Sequence, residues 1–374
     1  MPSRTQRRAL RLRPLLAALA LASLPAVVAT PRASASPVAT LSGVASKAGV
    51  AATGAASAAG AADRGHRESV VRETRRYRAR LINPLAARPL FVESSGFARA
   101  QAQEWGASRP EDAALMRRIA QAPQALWLGD WTAHVRAAVA RRVKAARRAG
   151  GVPVLVLYNI PDRDCGQHSS GGAASGAAYL RWIEQVARGI GSGPATVIVE
   201  PDALSALDCM TRGARAERVA LLSSAVARLG GLPETAVYLD AGNPGWVPAG
   251  RVARRLRSAG IARARGFSVN VSGFETTARA TAYGRAISRR TGGAQFVIDT
   301  SRNGAGPSDP PDWCTPPGRA LGTYPTNRTG VPLVDAFLWV KRPGESDGTC
   351  NGGPPAGQWW PEYALDLARR AAAG

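Results

Sequence analysis

Four runs of aliphatic and β-branched residues in this chain each end close to a carboxylate. Val197-Ile198-Val199 runs into Glu200-Pro201-Asp202, Val154-Leu155-Val156-Leu157-Tyr158 is followed by Asp162 and Asp164, Val237-Tyr238-Leu239 by Asp240, and Phe296-Val297-Ile298 by Asp299. Further runs at 125–128, 267–271 and 336–340 extend the series to seven, with helical intervals at 132–148, 178–189, 214–229 and 277–291. Strand then helix, repeated, implies parallel pairing with right-handed crossovers, so the expected fold class is α/β. Seven strands fit a closed or nearly closed barrel as well as an open doubly wound sheet. In either case the strands' carboxyl ends form the active face, and acids placed there line a cleft.

The pattern covers only part of the 374 residues. Arg7, Arg8, Arg11 and Arg13 precede the apolar run 15–28, and Ala33-Ser34-Ala35 follows as a small-residue cleavage site, so 1–35 reads as an export signal peptide. The run falls short of the about 20 apolar residues of a membrane span, and an uncleaved anchor is the lesser alternative. Residues 36–82 are first Ala/Gly/Ser-rich and then Arg-rich, without large apolar residues to build a core, and read as a linker with a short solvated helix at 64–80. Asn83-Pro84-Leu85 opens a single domain, 83–374. The expected product is a secreted protein, extracellular or periplasmic, and a monomer.

A net charge of +23 raises the question of nucleic acid. The arginines lie on helices, as Arg136, Arg141, Arg142, Arg147 and Arg148 do, and no aromatic residues interleave with them to stack bases, which argues against that partner. The four cysteines, Cys165, Cys209, Cys314 and Cys350, suit two disulfides in an exported chain. Sequential pairing closes loops of 44 and 36 residues, each worth roughly 4 kcal/mol by loop-closure entropy. A zinc site is the alternative, but no Cys-x-x-Cys spacing exists and histidine is scarce.

The strand ends gather Trp127, Asp162, Asp164, Asp202, Asp240, Asn270, Asp299, Lys341, Glu345 and Asp347. Carboxylates, an amide and aromatic rings suit a neutral polyhydroxyl ligand, because a sugar offers apolar ring faces to stack and hydroxyls to bond. Asp240 and Asp299 fit a structural role equally well. A tight metal site would show His ligands or denser acids, so no metal and no cofactor are expected. Gly189-Ile190-Gly191-Ser192-Gly193 precedes its strand where a dinucleotide fingerprint follows one, and His66, His134 and His168 have no nucleophile partner.

The stretches Tyr158-Asn159-Ile160-Pro161-Asp162-Arg163-Asp164-Cys165, Glu200-Pro201-Asp202, Tyr238-Leu239-Asp240-Ala241-Gly242 and Trp339-Val340-Lys341-Arg342-Pro343-Gly344-Glu345-Ser346-Asp347-Gly348 resemble, in order, the signatures of glycoside hydrolase family 6. The resemblance covers 83–374 and implies a distorted (β/α) barrel of about seven parallel strands and an inverting endoglucanase or cellobiohydrolase acting on β-1,4-glucan. It implies Asp202 as the general acid, with Asp164 beside it keeping its own proton because neighbouring carboxylates resist double ionisation. Asp347 takes the position of the candidate base, with Lys341 and Glu345 flanking it in the substrate cleft and Ser170 where the attacking water is held. Tyr158 presses on the sugar at the cleavage point, Trp127, Trp246 and Trp313 stack on neighbouring sugars, and Asn270 and Asp299 serve as polar contacts or supports. Asn243 departs from the family's usual His, which implies altered subsite affinity with catalysis intact.

Within the family, long loops enclose the glucan in processive members. Here only the short stretch 348–357 separates Asp347 from Gln358, too little for a roof, so endo attack is expected. An exo-acting cellobiohydrolase or a catalytically silent glycan-binding protein are the alternatives.

Overall fold

A computed structural model describes residues 83–372; the expected signal peptide and the expected linker lie outside them. Seven strands form one sheet in sequence order, each parallel to the next: β1 (Leu126–Leu128), β2 (Val154–Leu157), β3 (Ala195–Val199), β4 (Thr235–Asp240), β5 (Gly266–Val269), β6 (Gln295–Asp299) and β7 (Val334–Leu338). The sheet curls until its edges meet at a single bridge, Gln124 with Trp339, where the Ala125 N–H donates to the Trp339 carbonyl at 3.2 Å. Trp127 Nε1 adds a bond to the Val340 carbonyl at 2.8 Å. Of the two topologies the sequence allows, the chain adopts the distorted barrel.

Alternation along each strand explains why the runs are apolar throughout. Val154, Val156, Ile198, Tyr238, Val297, Ala336 and Leu338 point into the barrel and fill it. Their neighbours Leu155, Leu157, Val197, Val199, Leu239, Phe267, Val269, Phe296 and Ile298 point outward, against the helices.

The expected helical intervals are α3 (Val135–Arg148), α4 (Gly176–Ile190), α5 (Arg212–Gly230) and α7 (Thr277–Ser288). Ser175, Thr211 and Thr276 cap the last three, each side chain accepting a first-turn N–H. Val139, Val143, Ile183, Val186, Leu222, Val226, Leu229 and Ile287 supply their apolar stripes.

Four further helices were not read from the sequence: α1 (Phe97–Glu104), α2 (Pro110–Ala120), α6 (Ala249–Ser258) and α8 (Pro361–Ala372). Helices α1, α2 and α8 pack on one another around Trp105, Met116, Ile119, Tyr363, Leu365 and Leu367, with Trp339 beneath them. This cluster covers the seam where the barrel edges meet. No helix crosses over between β6 and β7; an irregular segment does, and it carries Trp313 and Cys314.

Candidate active site

Every strand from β1 to β7 delivers its C-terminal loop to one end of the barrel, and there the loops surround a cleft of about 950 Å³. Trp127, Tyr158, Asp164, Ser170, Asp202, Trp246, Trp313, Lys341, Glu345 and Asp347 all line it, as expected from the sequence. Several lining or supporting residues have left-handed backbone: Asp164 (φ 58°), Glu200 (φ 50°), Asp202 (φ 67°) and Ser272 (φ 55°). Non-glycine residues are held so at a cost of about 1–3 kcal/mol each, and such strain gathers where geometry serves function.

Buried carboxylates beneath the cleft offset that cost by binding the loop backbones. Asp240 Oδ2 accepts the N–H groups of Asp202 (3.0 Å) and Gly242 (2.9 Å), and its Oδ1 accepts the Ser268 hydroxyl (3.0 Å). Asp299 accepts the N–H groups of Ser272, Ser301, Val340 and Lys341. Glu200 Oε2 accepts those of Asn159 (2.9 Å) and Ile160 (3.0 Å), tying the end of β3 to the loop after β2. Burial pushes Glu200 up to about 8 and Asp240 up to about 6, against the opposing pull of these N–H donors.

Of the two roles expected for Asn270, substrate contact or support, the structure gives it the support, and it does not line the cleft. It is fully buried, its amide donates to the carbonyls of Glu275 and Asp299, and its oxygen accepts the Glu275 N–H. It braces the β5 loop. Asp162 is exposed and outside the cleft; only its carbonyl is engaged, by Arg218.

Asp202 is the cleft carboxyl that keeps its proton. Its carboxyl makes no hydrogen bond to another group among the described residues. Burial first, and then the charges of Asp240 and Asp164, hold its pKa well above the usual carboxylate range. Asp164, which the sequence reading had keep its proton, accepts the Ser169 N–H at 2.7 Å through Oδ2. Tyr158 stands edge-on to Trp127 with ring centroids 5.4 Å apart, and its phenol stays protonated because burial and the nearby Asp202 and Asp164 raise its pKa.

Asp347 is the opposite case. Burial alone would raise its pKa, but Arg302 Nη1 at 2.7 Å from Oδ2 and Lys341 Nζ at 2.9 Å from Oδ1 outweigh that and hold the carboxyl below its ordinary value. Thr315 N–H also donates to Oδ2 at 3.0 Å, whereas Oδ1 carries only the lysine. One cleft therefore holds a protonated carboxyl and a carboxylate, the pairing that acid–base hydrolysis of an acetal requires.

The structure adds residues that the sequence did not disclose. Arg302 is fully buried with its guanidinium 4.4 Å over the Phe274 ring; no sequence neighbour predicts that it meets Asp347. Arg163 donates to the carbonyls of Tyr158, Ser169 and Ser170 and to Asp130, with the rings of Tyr158 and Trp131 each 5.0 Å from its guanidinium. Trp131 itself also lines the cleft and is 55% exposed, as Trp246 (51%) and Trp313 (47%) are, which leaves these side chains open to a ligand. Asn243 lines the cleft with its Oδ1 buried and without a hydrogen-bond partner among the described residues. Two disulfides hold the cleft loops, Cys165–Cys209 and Cys314–Cys350, in the sequential pairing. No three His, Cys, Asp or Glu residues among the described ones are grouped to hold a metal ion.

A parallel barrel with opposed carboxyl states and open tryptophan faces at its carboxyl end has the make-up of a glycoside hydrolase. Residues 85–371 match the profile of Glycosyl hydrolases family 6, and the chain belongs to that family. It is 49% identical over 270 residues to endoglucanase A of Cellulomonas fimi, covering 71% of this chain and 58% of that one, so it spans little more than half of that relative's length. Endoglucanase 1 of Streptomyces halstedii is 46% identical over 278 residues, 71% of this chain and 85% of the relative. The endoglucanase Cel6 from Mycobacterium tuberculosis, solved with a thio-linked cellobioside, superposes with a TM-score of 0.74 at 49% identity over 78% of this chain and 100% of its own.

Proposed function

We propose that the protein is an endo-β-1,4-glucanase that cleaves internal bonds of cellulose or a related β-glucan with inversion. The observation that carries this is the coexistence of protonated Asp202 and ionised Asp347 in a cleft whose tryptophans are half exposed. Asp202 protonates the glycosidic oxygen as the bond to the anomeric carbon breaks. A water attacks from the other ring face, oriented by Ser170, and its proton passes toward the free lone pair of Asp347 Oδ1. Inversion asks for about 6.5–9.5 Å between acid and base to admit that water. Tyr158 presses on the sugar at the cleavage point, while Trp127, Trp246 and Trp313 hold its neighbours.

Endo attack is favoured by the loop after Asp347. Ser346 Oγ lies 2.8 Å from both the Gly348 and Pro354 carbonyls and donates its one proton between them, the Gly357 N–H donates to the Ser346 carbonyl, and the Asn351 amide donates to Asp312 and the Cys314 carbonyl. The loop is thus folded onto its own base. The endoglucanases among the relatives support the same reading, as does the cellobioside-type ligand of the Mycobacterium enzyme. Export accords with the sequence of 1–35, and no helix among the described residues is long and apolar enough to cross a membrane.

The test compares the fall in viscosity of carboxymethylcellulose with the reducing ends released. Rapid thinning with few new ends, lost by at least a thousandfold in Asp202→Ala, is the expected result. Slow thinning with steady release of disaccharide would replace the proposal with exo attack, and binding without release would make the protein a lectin.

A further inference from the structure

Behind the cleft wall lies a second, small cavity of about 40 Å³, sharing Arg342 and Glu345 with the cleft. Its other walls come from the segment Glu93 to Arg99, from Gln124 before β1, from Arg142 of α3 and from Trp359. That volume admits one compact ion or a few waters, since a single water needs about 10–15 Å³.

Apart from Arg342 Nε and Glu345 Oε1, which face each other as an ion pair, the buried side-chain atoms of these walls that lack a hydrogen-bond partner among the described residues are donors. Arg142 is 7% exposed; its Nη2 is paired with Glu93 at 2.7 Å, but its Nη1 is buried and has no hydrogen-bond partner among the described residues. Arg99 Nε is buried without a partner as well. Helix α1 begins on this wall, Gly96 offers it no side-chain cap, and the N–H groups of Phe97, Ala98 and Arg99 have no acceptor among the described residues. A helix start carries about half a positive charge.

The carboxylates at hand are already engaged, Glu93 by Arg142 and Glu345 by Arg342 at 2.8 Å. Three guanidinium groups thus face two carboxylates. Burial pulls Arg142 below the usual arginine range, Glu93 offsets this only in part, and the charge of Arg342 adds to it. Water would satisfy the hydrogen bonds but leave the surplus positive charge unmatched in a desolvated place, where unpaired charge is expensive.

We infer that this cavity is a binding site for a compact monovalent anion of chloride size, held by Arg142 Nη1, Arg99 Nε and the first turn of α1. The anion joins the segment before α1 to α3 and to the loop that carries Glu345, so it stiffens the back wall of the cleft. It is a structural ligand and leaves the proposed reaction unchanged, so its test does not depend on glucanase activity.

Thermal unfolding of the full chain in sodium chloride against sodium gluconate at equal ionic strength tests it. A saturating rise in Tm of about 5 °C specific to chloride is expected. The rise should shrink at least by half in Arg99→Gln, which breaks no ion pair seen here, and vanish in Arg142→Gln. Crystals grown in bromide should show an anomalous peak within the cavity. Equal effects of chloride and gluconate, an undiminished rise in Arg99→Gln, or bromide found only elsewhere would each overturn the assignment and leave water in the cavity.

Discussion

Asp202 and Asp240 are joined through backbone and field at once. The Asp202 N–H is fixed by the Asp240 carboxylate, and the Asp240 charge helps keep the Asp202 proton on. Burial pushes Asp240 up to about 6 against the pull of its N–H donors, and its charge is one of the causes that hold Asp202 above the usual carboxylate range. The sign of the dependence follows: activity that needs protonated Asp202 is present below its raised pKa and lost as pH rises through it. Asp240→Asn can keep the same bonds, its oxygen accepting both N–H groups and its amide meeting Ser268, while removing the neighbouring charge. The alkaline limb of kcat/KM should then move down by roughly 1 pH unit with the acid limb in place. An unmoved alkaline limb would show that burial alone sets the acid.

At the scale of the element, the loop 163–172 between β2 and α4 places Asp164 and Ser170 with only a short 3-10 turn, Asp164–Gly166, and one bridge, Arg163 to Gly171, of its own. Arg163 gathers its carbonyls, and the Gly172 N–H donates to Asp130 Oδ2 at 3.0 Å. Gly172 has φ +108°, and a β-carbon there would stand 2.0 Å from the Ile160 carbonyl oxygen, a backbone atom that cannot yield cheaply. Gly172→Ala should dislodge the loop and lower kcat/KM at least tenfold, about 1.4 kcal/mol of transition-state stabilisation, with far-ultraviolet circular dichroism unchanged. Full activity in that variant would show that the loop's position is not needed.

Across the whole molecule, the two disulfides fall at the carboxyl end of the barrel, where loops replace helices and strands. Cys165–Cys209 spans the loops after β2 and β3, and Cys314–Cys350 ties the β6–β7 segment to the loop after β7. Loop separations of 44 and 36 residues give each a stabilisation of about 4 kcal/mol. Replacing either pair by serines should lower Tm by about 8 °C in differential scanning calorimetry. The barrel below, closed by apolar packing, should keep its secondary structure.

Much of this was legible in the chain because it is local. A buried parallel strand must be apolar on both faces, so the seven runs declared themselves, and the acids at their ends marked the functional face before any coordinates. The motifs around Asp164, Asp202 and Asp347 carried the family and with it the proposed acid, the candidate base and the proposed stacking residues. What the sequence left open depended on contacts between distant residues. Asn270 looked like a ligand-binding amide because its burial comes from Glu275 and the end of β6. Nothing in the sequence sets Arg302 apart from the other arginines, yet it meets Asp347 and helps hold that carboxyl in its charged form. Trp131 and the donors around Arg142 became informative only when the curled sheet brought β1, α1, α3 and the loop after β7 together. Apolar periodicity and short motifs determined the fold class and the chemistry; the charge state of each carboxyl was decided by tertiary packing, because burial and distant charges set a pKa.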